Sequence, residues 1–188
     1  MVKRKWDLQR FKRLFSAPFV GVLMSLVLVL GHYVEAADFT DDELKAVYLF
    51  RFAYLVNWEN LPSQDNLYHY CVDGSSQVAR QLETIAEQKR QKAKYWDITD
   101  DSATPSRCHI LFTTSREEEH ILSLRIQYPD SLLVGEGKRF VENGGMASFI
   151  KMNNRVRPYI DMHNLLGLPF TLRSQLLAIA VTKGEVQE

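Results

Sequence analysis

An α/β fold is predicted, with a central, mostly parallel sheet flanked by helices and a C-terminal antiparallel hairpin. Three features of the chain carry that expectation. Short apolar runs of strand length alternate with helix-period segments from residue 40 onward. Such alternation builds βαβ units and hence parallel strands. Two helices open on capping-box sequences, Thr40-Asp41-Asp42-Glu43 and Ser115-Arg116-Glu117-Glu118. Asn153-Asn154 separates two apolar stretches and is a tight-turn signal between antiparallel strands.

The first helix is expected from Thr40 as N-cap to about residue 57. Leu44, Val47, Tyr48, Phe52, Leu55 and Trp58 form an apolar stripe, and Phe50, Tyr54 and Val56 lie on other faces. A helix this apolar is deeply buried or docked on another surface. Residues 67–72 read as a strand closed by Asp73-Gly74, and 76–89 as an amphipathic helix through Val78, Leu82 and Ile85. Residues 94–99 make a weaker strand. Residues 107–113 form a short, β-branched apolar run, a buried strand. The second capping box then opens a helix to about residue 128. Strand 131–134 follows, with a helical turn or two over 138–143 and the Gly144-Gly145 turn. The hairpin takes 146–151 and 155–161. Helical segments close the chain after Asp161 and over 171–182, interrupted at Gly167 and Pro169.

The first 36 residues have the layout of a secretory signal. Lys3, Arg4, Lys5, Arg10, Lys12 and Arg13 precede a 14-residue apolar run, 17–30, and Val34-Glu35-Ala36 supplies a cleavage site. The run is short of the ~20 residues that span a bilayer; a retained membrane anchor is the alternative. The expected organisation is therefore a signal peptide over 1–36, an α/β domain over 37–188 and a periplasmic location. Residues 1–36 hold 6 of 23 basic and 2 of 23 acidic residues, so 37–188 carries 17 basic against 21 acidic, a net of −4. A mildly acidic domain argues against nucleic acid as partner.

In an exported chain the two cysteines, Cys71 and Cys108, read as a disulfide; two buried thiols are the alternative. Closing that loop stabilises a fold by about 3–4 kcal/mol in the chain-entropy model. Flush parallel strands would set the two residues about 10 Å apart, at ~3.3 Å per residue. A bridge needs Cα atoms within ~7 Å. The strands must therefore be staggered, or one of them must start elsewhere.

No catalytic motif is expected to act. Gly135-Glu136-Gly137-Lys138 lacks phosphate-loop spacing. No G-x-S-x-G occurs, and no two histidines fall at i+3 or i+4. Two cysteines with scattered histidines lack the ligand pairs of a metal site, and no cofactor is expected. Asp41/Asp42 and Asp100/Asp101 fit caps and solvated turns. The candidate partner- or ligand-binding residues are Arg155, Arg157 and Arg173, near Tyr159 and Phe170, together with Trp58. The arginines suit a carboxylate ligand or an acidic partner, with surface ion pairing as the bland alternative.

At this point the chain resembles the YfiR-like family of periplasmic proteins. The segment KAVYLFRFAYLVNWEN, residues 45–60, is similar to that family's opening helix. In order follow Tyr70-Cys71-Val72-Asp73-Gly74, Arg107-Cys108-His109-Ile110-Leu111-Phe112, Leu133-Val134-Gly135-Glu136, Gly144-Gly145-Met146 with Phe149, Asn154-Arg155-Val156-Arg157, and Ser174-Gln175-Leu176-Leu177. The resemblance implies a sheet flanked by helices, a Cys71–Cys108 disulfide and no catalysis. It implies a periplasmic repressor that binds the periplasmic domain of an inner-membrane GGDEF diguanylate cyclase, lowering cyclic-di-GMP and biofilm formation. An outer-membrane lipoprotein partner and a homodimer are further implications. Asp161 stands where the family pattern has Asn, and the second cysteine pair of the type member is missing here. A periplasmic small-ligand-binding module is the alternative function.

Overall fold

A computed structural model describes residues 39–59, 66–99 and 105–184. The expected signal segment and the Asp100/Asp101 turn lie outside the described residues. The described residues belong to one unit, Phe39–Glu188.

Its centre is a seven-stranded sheet. The strands in chain order are β2 (Tyr68–Asp73), β3 (Ala93–Asp97), β4 (Ile110–Thr113), β5 (Leu132–Glu136), β6 (Ala147–Met152), β7 (Arg155–Ile160) and β9 (Val181–Thr182). They lie in the spatial order β3-β2-β4-β5-β6-β7-β9. Every neighbouring pair is parallel except β6 with β7. The expected mostly parallel sheet with an antiparallel hairpin is therefore what forms. Asn153 and Asn154 both have positive φ, 50° and 58°, as a two-residue hairpin turn requires. The strands β4 and β5 are buried on both faces, which is why Ile110–Thr113 and Leu132–Glu136 are almost uninterruptedly apolar.

Among the described residues, five α-helices accompany the strands: α1 (Asp41–Leu55), α2 (Ser76–Gln88), α3 (Glu118–Gln127), α4 (Gly137–Glu142) and α5 (Ser174–Ile179). Alternation along β2 sorts two of them. Tyr70 points its hydroxyl at the Phe50 carbonyl of α1, whereas Asp73, on the other face, meets His120 of α3. The two helices thus cover opposite faces. The core between them includes Leu49, Phe52, Leu111, Phe112, Ile121 and Leu132, each at most 1 % exposed. Phe140 of α4 is also fully buried, and a Cβ on either Gly135 or Gly145 would run into its ring. These glycines make room for an aromatic plug.

Four local expectations need correction. First, α1 stops at Leu55, and Val56–Trp58 becomes a strand, β1, antiparallel to β8 (Phe170–Leu172). A partner so distant in sequence is invisible to helical periodicity. Second, the Thr40–Glu43 box forms with both halves made, but the Ser115 box does not. Helix α3 starts at Glu118 with Glu117 as an N-cap that makes no side-chain bond. Ser115 is held back because its N–H donates to Thr113 Oγ1 at 3.0 Å, while its own hydroxyl oxygen accepts from Glu117 N–H at 3.3 Å. Third, the helix expected over 171–182 shrinks to α5, with strands at both ends. Fourth, β4 begins at Ile110. Cys71 lies opposite Leu111 in flush register, and the chain bends at His109, so Cys108 sits before the ladder. Its Cα is 5.8 Å from that of Cys71, and the disulfide is closed. A late strand start, with no stagger, resolves the apparent 10 Å conflict.

No described helix is long and apolar enough to cross a membrane.

Candidate partner- and ligand-binding site

The β1–β8 ribbon organises the first candidate surface. Val56, Asn57 and Trp58 pair with Leu172, Thr171 and Phe170, and the Arg173 N–H extends the pairing to the Leu55 carbonyl at 2.9 Å. This locks the end of α1 against the residue that precedes α5. Trp58 is half-buried, and its indole N–H donates to the Ala53 carbonyl at 3.1 Å. With its polar atom satisfied, the ring serves as a flat wall. It stands 5.1 Å from Phe170 and 5.5 Å, edge-on, from His109. His109 leads on to Tyr68 at 6.0 Å, Tyr68 to Tyr54 at 5.7 Å, and Tyr54 to Phe50 at 5.5 Å.

Arg173 borders this aromatic shelf. Its Nε donates to Asn57 Oδ1 at 2.7 Å, which orients the guanidinium. Burial pushes the Tyr68 hydroxyl above its ordinary pKa, nearby Tyr54 adds to that, and the Arg173 charge pulls it back. The cation is therefore felt within the shelf. An oriented guanidinium beside stacked rings suits a planar carboxylate, or an acidic and aromatic pair of side chains on a partner.

Arg155 and Arg157 lie elsewhere. With Tyr48, Val156, Ala178 and Ile179 they line a groove of about 600 Å³. Arg157 Nη2 donates to the Ile179 carbonyl at 3.2 Å, and the Tyr48 hydroxyl to the Val156 carbonyl at 3.2 Å. Arg173 stands at the start of α5 and Arg157 reaches its end. A six-residue helix separates them by roughly 9 Å of axis. The three arginines expected to cluster are thus divided: Arg173 joins Trp58 and Phe170, and Arg155 joins Arg157. Tyr159 is 4 % exposed, a core residue.

Sequence reasoning also missed a polar junction. At the carboxyl ends of β2 and β4, Asp73 Oδ2 accepts from the Thr113 hydroxyl at 2.6 Å and lies 2.7 Å from His120 Nε2. The junction ties β2, β4 and α3 together. Its only sequence signal was Asp73-Gly74, read as a strand end. A second buried carboxylate, Asp161, accepts from Lys183 Nζ at 2.8 Å and from the His163 N–H at 2.9 Å. Burial works to raise its pKa, but these partners prevail and hold it below the ordinary value. Among the described residues, no group of three or more His, Cys, Asp or Glu is placed to hold a metal ion.

A family model described as YfiR/HmsC-like matches residues 42–181. No curated protein matches the chain.

Proposed function

The chain belongs to the YfiR/HmsC-like family, and from that membership we propose that it is a periplasmic binding protein that represses an inner-membrane GGDEF diguanylate cyclase. The protein binds the periplasmic sensory domain of the cyclase, so that cyclic-di-GMP and biofilm formation fall. The single observation that carries this reading is the family match, which runs through the fold from α1 to β9. Members of the family are known as periplasmic regulators. A signal peptide over 1–36, removed on export, accounts for how the domain reaches that compartment. The closed Cys71–Cys108 bridge supports the same location, since disulfides persist in oxidising compartments.

In this proposal the shelf of Trp58 and Tyr68, with Arg173 beside it, is a contact surface for the partner. Half-exposed aromatics next to an arginine are the usual anchors of protein interfaces. An outer-membrane lipoprotein that sequesters the protein would relieve the repression, and two copies pair as a homodimer. Titration of the purified protein against the purified periplasmic domain of the cyclase tests the contact. Saturable binding, weakened by Trp58→Ala and Arg173→Ala, is expected. No binding by the disulfide-bonded protein contradicts the proposal.

The groove of Arg155 and Arg157 favours a second reading, a periplasmic small-ligand-binding module in which an arginine holds an anion. A thermal-shift screen of amino acids and dicarboxylates tests it, and the absence of any stabilising compound overturns it.

A further inference from the structure

We propose that the trough between α1 and the β6–β7 hairpin is a docking site for an extended acidic segment of a partner protein. Two cavities form it, of about 470 and about 600 Å³, meeting at Met152 and Val156. One wall is a single stripe of α1, Asp41, Lys45 and Tyr48, at the spacing that puts residues on one helix face. Six basic residues line the trough, Lys45, Arg116, Lys138, Lys151, Arg155 and Arg157, against the two acids Asp41 and Glu136. The domain as a whole carries −4 over 37–188. A local surplus of +4 on a net acidic domain is a segregated charge pattern. A third cavity beyond Lys138 adds Arg139 against Glu117 and Glu118 and ends the basic run.

Internal pairing consumes only part of the surplus. Lys45 holds Glu136 at 2.6 Å and Asp42 at 2.9 Å, Arg116 reaches Glu136 at 3.5 Å, and Lys151 reaches Asp41 at 3.1 Å. Arg157 spends one nitrogen on the Ile179 carbonyl, a neutral group. Among the described residues, Lys138 and Arg155 make no ion pair. The uncompensated charges therefore lie in separate cavities, Lys138 in one and Arg155 with Arg157 in the other. A compact dianion touches one cavity. An extended chain with spaced carboxylates touches both.

The mode of recognition also follows. Strand β9 covers β7 only at Tyr159 and Ile160. The rest of that edge is a poor template for an added strand, since Pro158 has no N–H and the Val156 carbonyl accepts from Tyr48. Side-chain charge recognises the segment, and main-chain pairing does not. The site rests on the regulatory reading only for the identity of its partner.

The test uses the full chain and a labelled twelve-residue poly-glutamate peptide, with poly-glutamine of equal length as control, followed by fluorescence anisotropy. Binding of poly-glutamate alone is expected, weakening severalfold or more as salt rises, because exposed charges are screened beyond ~8 Å at 0.15 M. The pair Lys138→Glu and Arg155→Glu, both at exposed positions, is expected to lower affinity about tenfold or more. Lys89→Glu, at the end of α2, makes the same kind of charge change away from the trough and is expected to leave affinity unchanged. Three results overturn the proposal: no poly-glutamate binding, equal loss in Lys89→Glu, or full displacement by millimolar inorganic phosphate. These readouts are independent of cyclic-di-GMP. Unchanged cyclic-di-GMP on deletion defeats the regulatory reading and leaves the trough standing, whereas a failed peptide titration does the reverse.

Discussion

Asp161 shows how a single residue sets acid sensitivity. Its carboxyl is held below the ordinary carboxylate pKa of ~3.9 despite burial, because Lys183 and the His163 N–H favour the charged form. A depressed pKa in the fold contributes stability at pH above ~3.9, and that contribution is lost as pH falls through the folded value. Asp161→Asn is expected to cost about 1–2 kcal/mol at pH 7. Between pH 7 and 3 the variant should lose less stability than the parent in urea unfolding. A parallel loss in both proteins would contradict the assignment. Cys71 and Cys108 make a second residue-scale test. Replacing both with Ser is expected to cost about 3–4 kcal/mol, read as a lower denaturant midpoint that reductant brings about equally in the parent. The disulfide was legible from the expected export signal and the even cysteine count, and the bridge forms. The Asp73–Thr113–His120 junction was not, because it depends on the register of α3, and Ser115 holds the helix start two residues later than the capping sequence suggests.

At the scale of elements, local pattern was informative wherever one segment decides its own state. Asn153-Asn154 specified a left-handed turn, and the β6–β7 hairpin forms there. Thr40 and Glu43 specified the start of α1, where the side chains of both complete the box. Prediction failed where a distant partner decides. Val56–Trp58 could have continued α1, but Phe170–Leu172 takes it into a ribbon. The same event explains why the arginines divide, since that ribbon fixes Arg173 beside Asn57 while Arg157 stays on the hairpin. Helix α4 supplies an element-scale prediction. Gly145→Ala places a methyl against the Phe140 ring and is expected to cost about 1–3 kcal/mol by overpacking. Combining it with Phe140→Leu should recover part of that loss in a double-mutant cycle. Additive losses would show that the ring is not what Gly145 accommodates.

For the whole molecule, a mostly parallel sheet flanked by helices was foreseeable from strand–helix alternation, whereas the spatial order β3-β2-β4-β5-β6-β7-β9 depends on pairings between distant strands and was not. Family membership was legible only through the set of motifs that spans the fold. No single residue among them carries it. The two proposed contact surfaces occupy different places on one domain: the aromatic shelf at the β1–β8 ribbon and the basic trough beside the hairpin. The shelf is built for planar groups and the trough for extended negative charge, so variants in each should separate. Trp58→Ala should lower affinity for the cyclase domain without changing poly-glutamate binding. Equal losses in both assays would mean that the two surfaces are one.

The central claim, repression of a membrane cyclase, is tested most directly by cellular cyclic-di-GMP in a strain that expresses the cognate cyclase. Deletion of the gene for this protein should raise the level, and complementation with the parent chain should restore it. Complementation with Arg173→Ala should restore it only in part. An unchanged level on deletion would contradict the account.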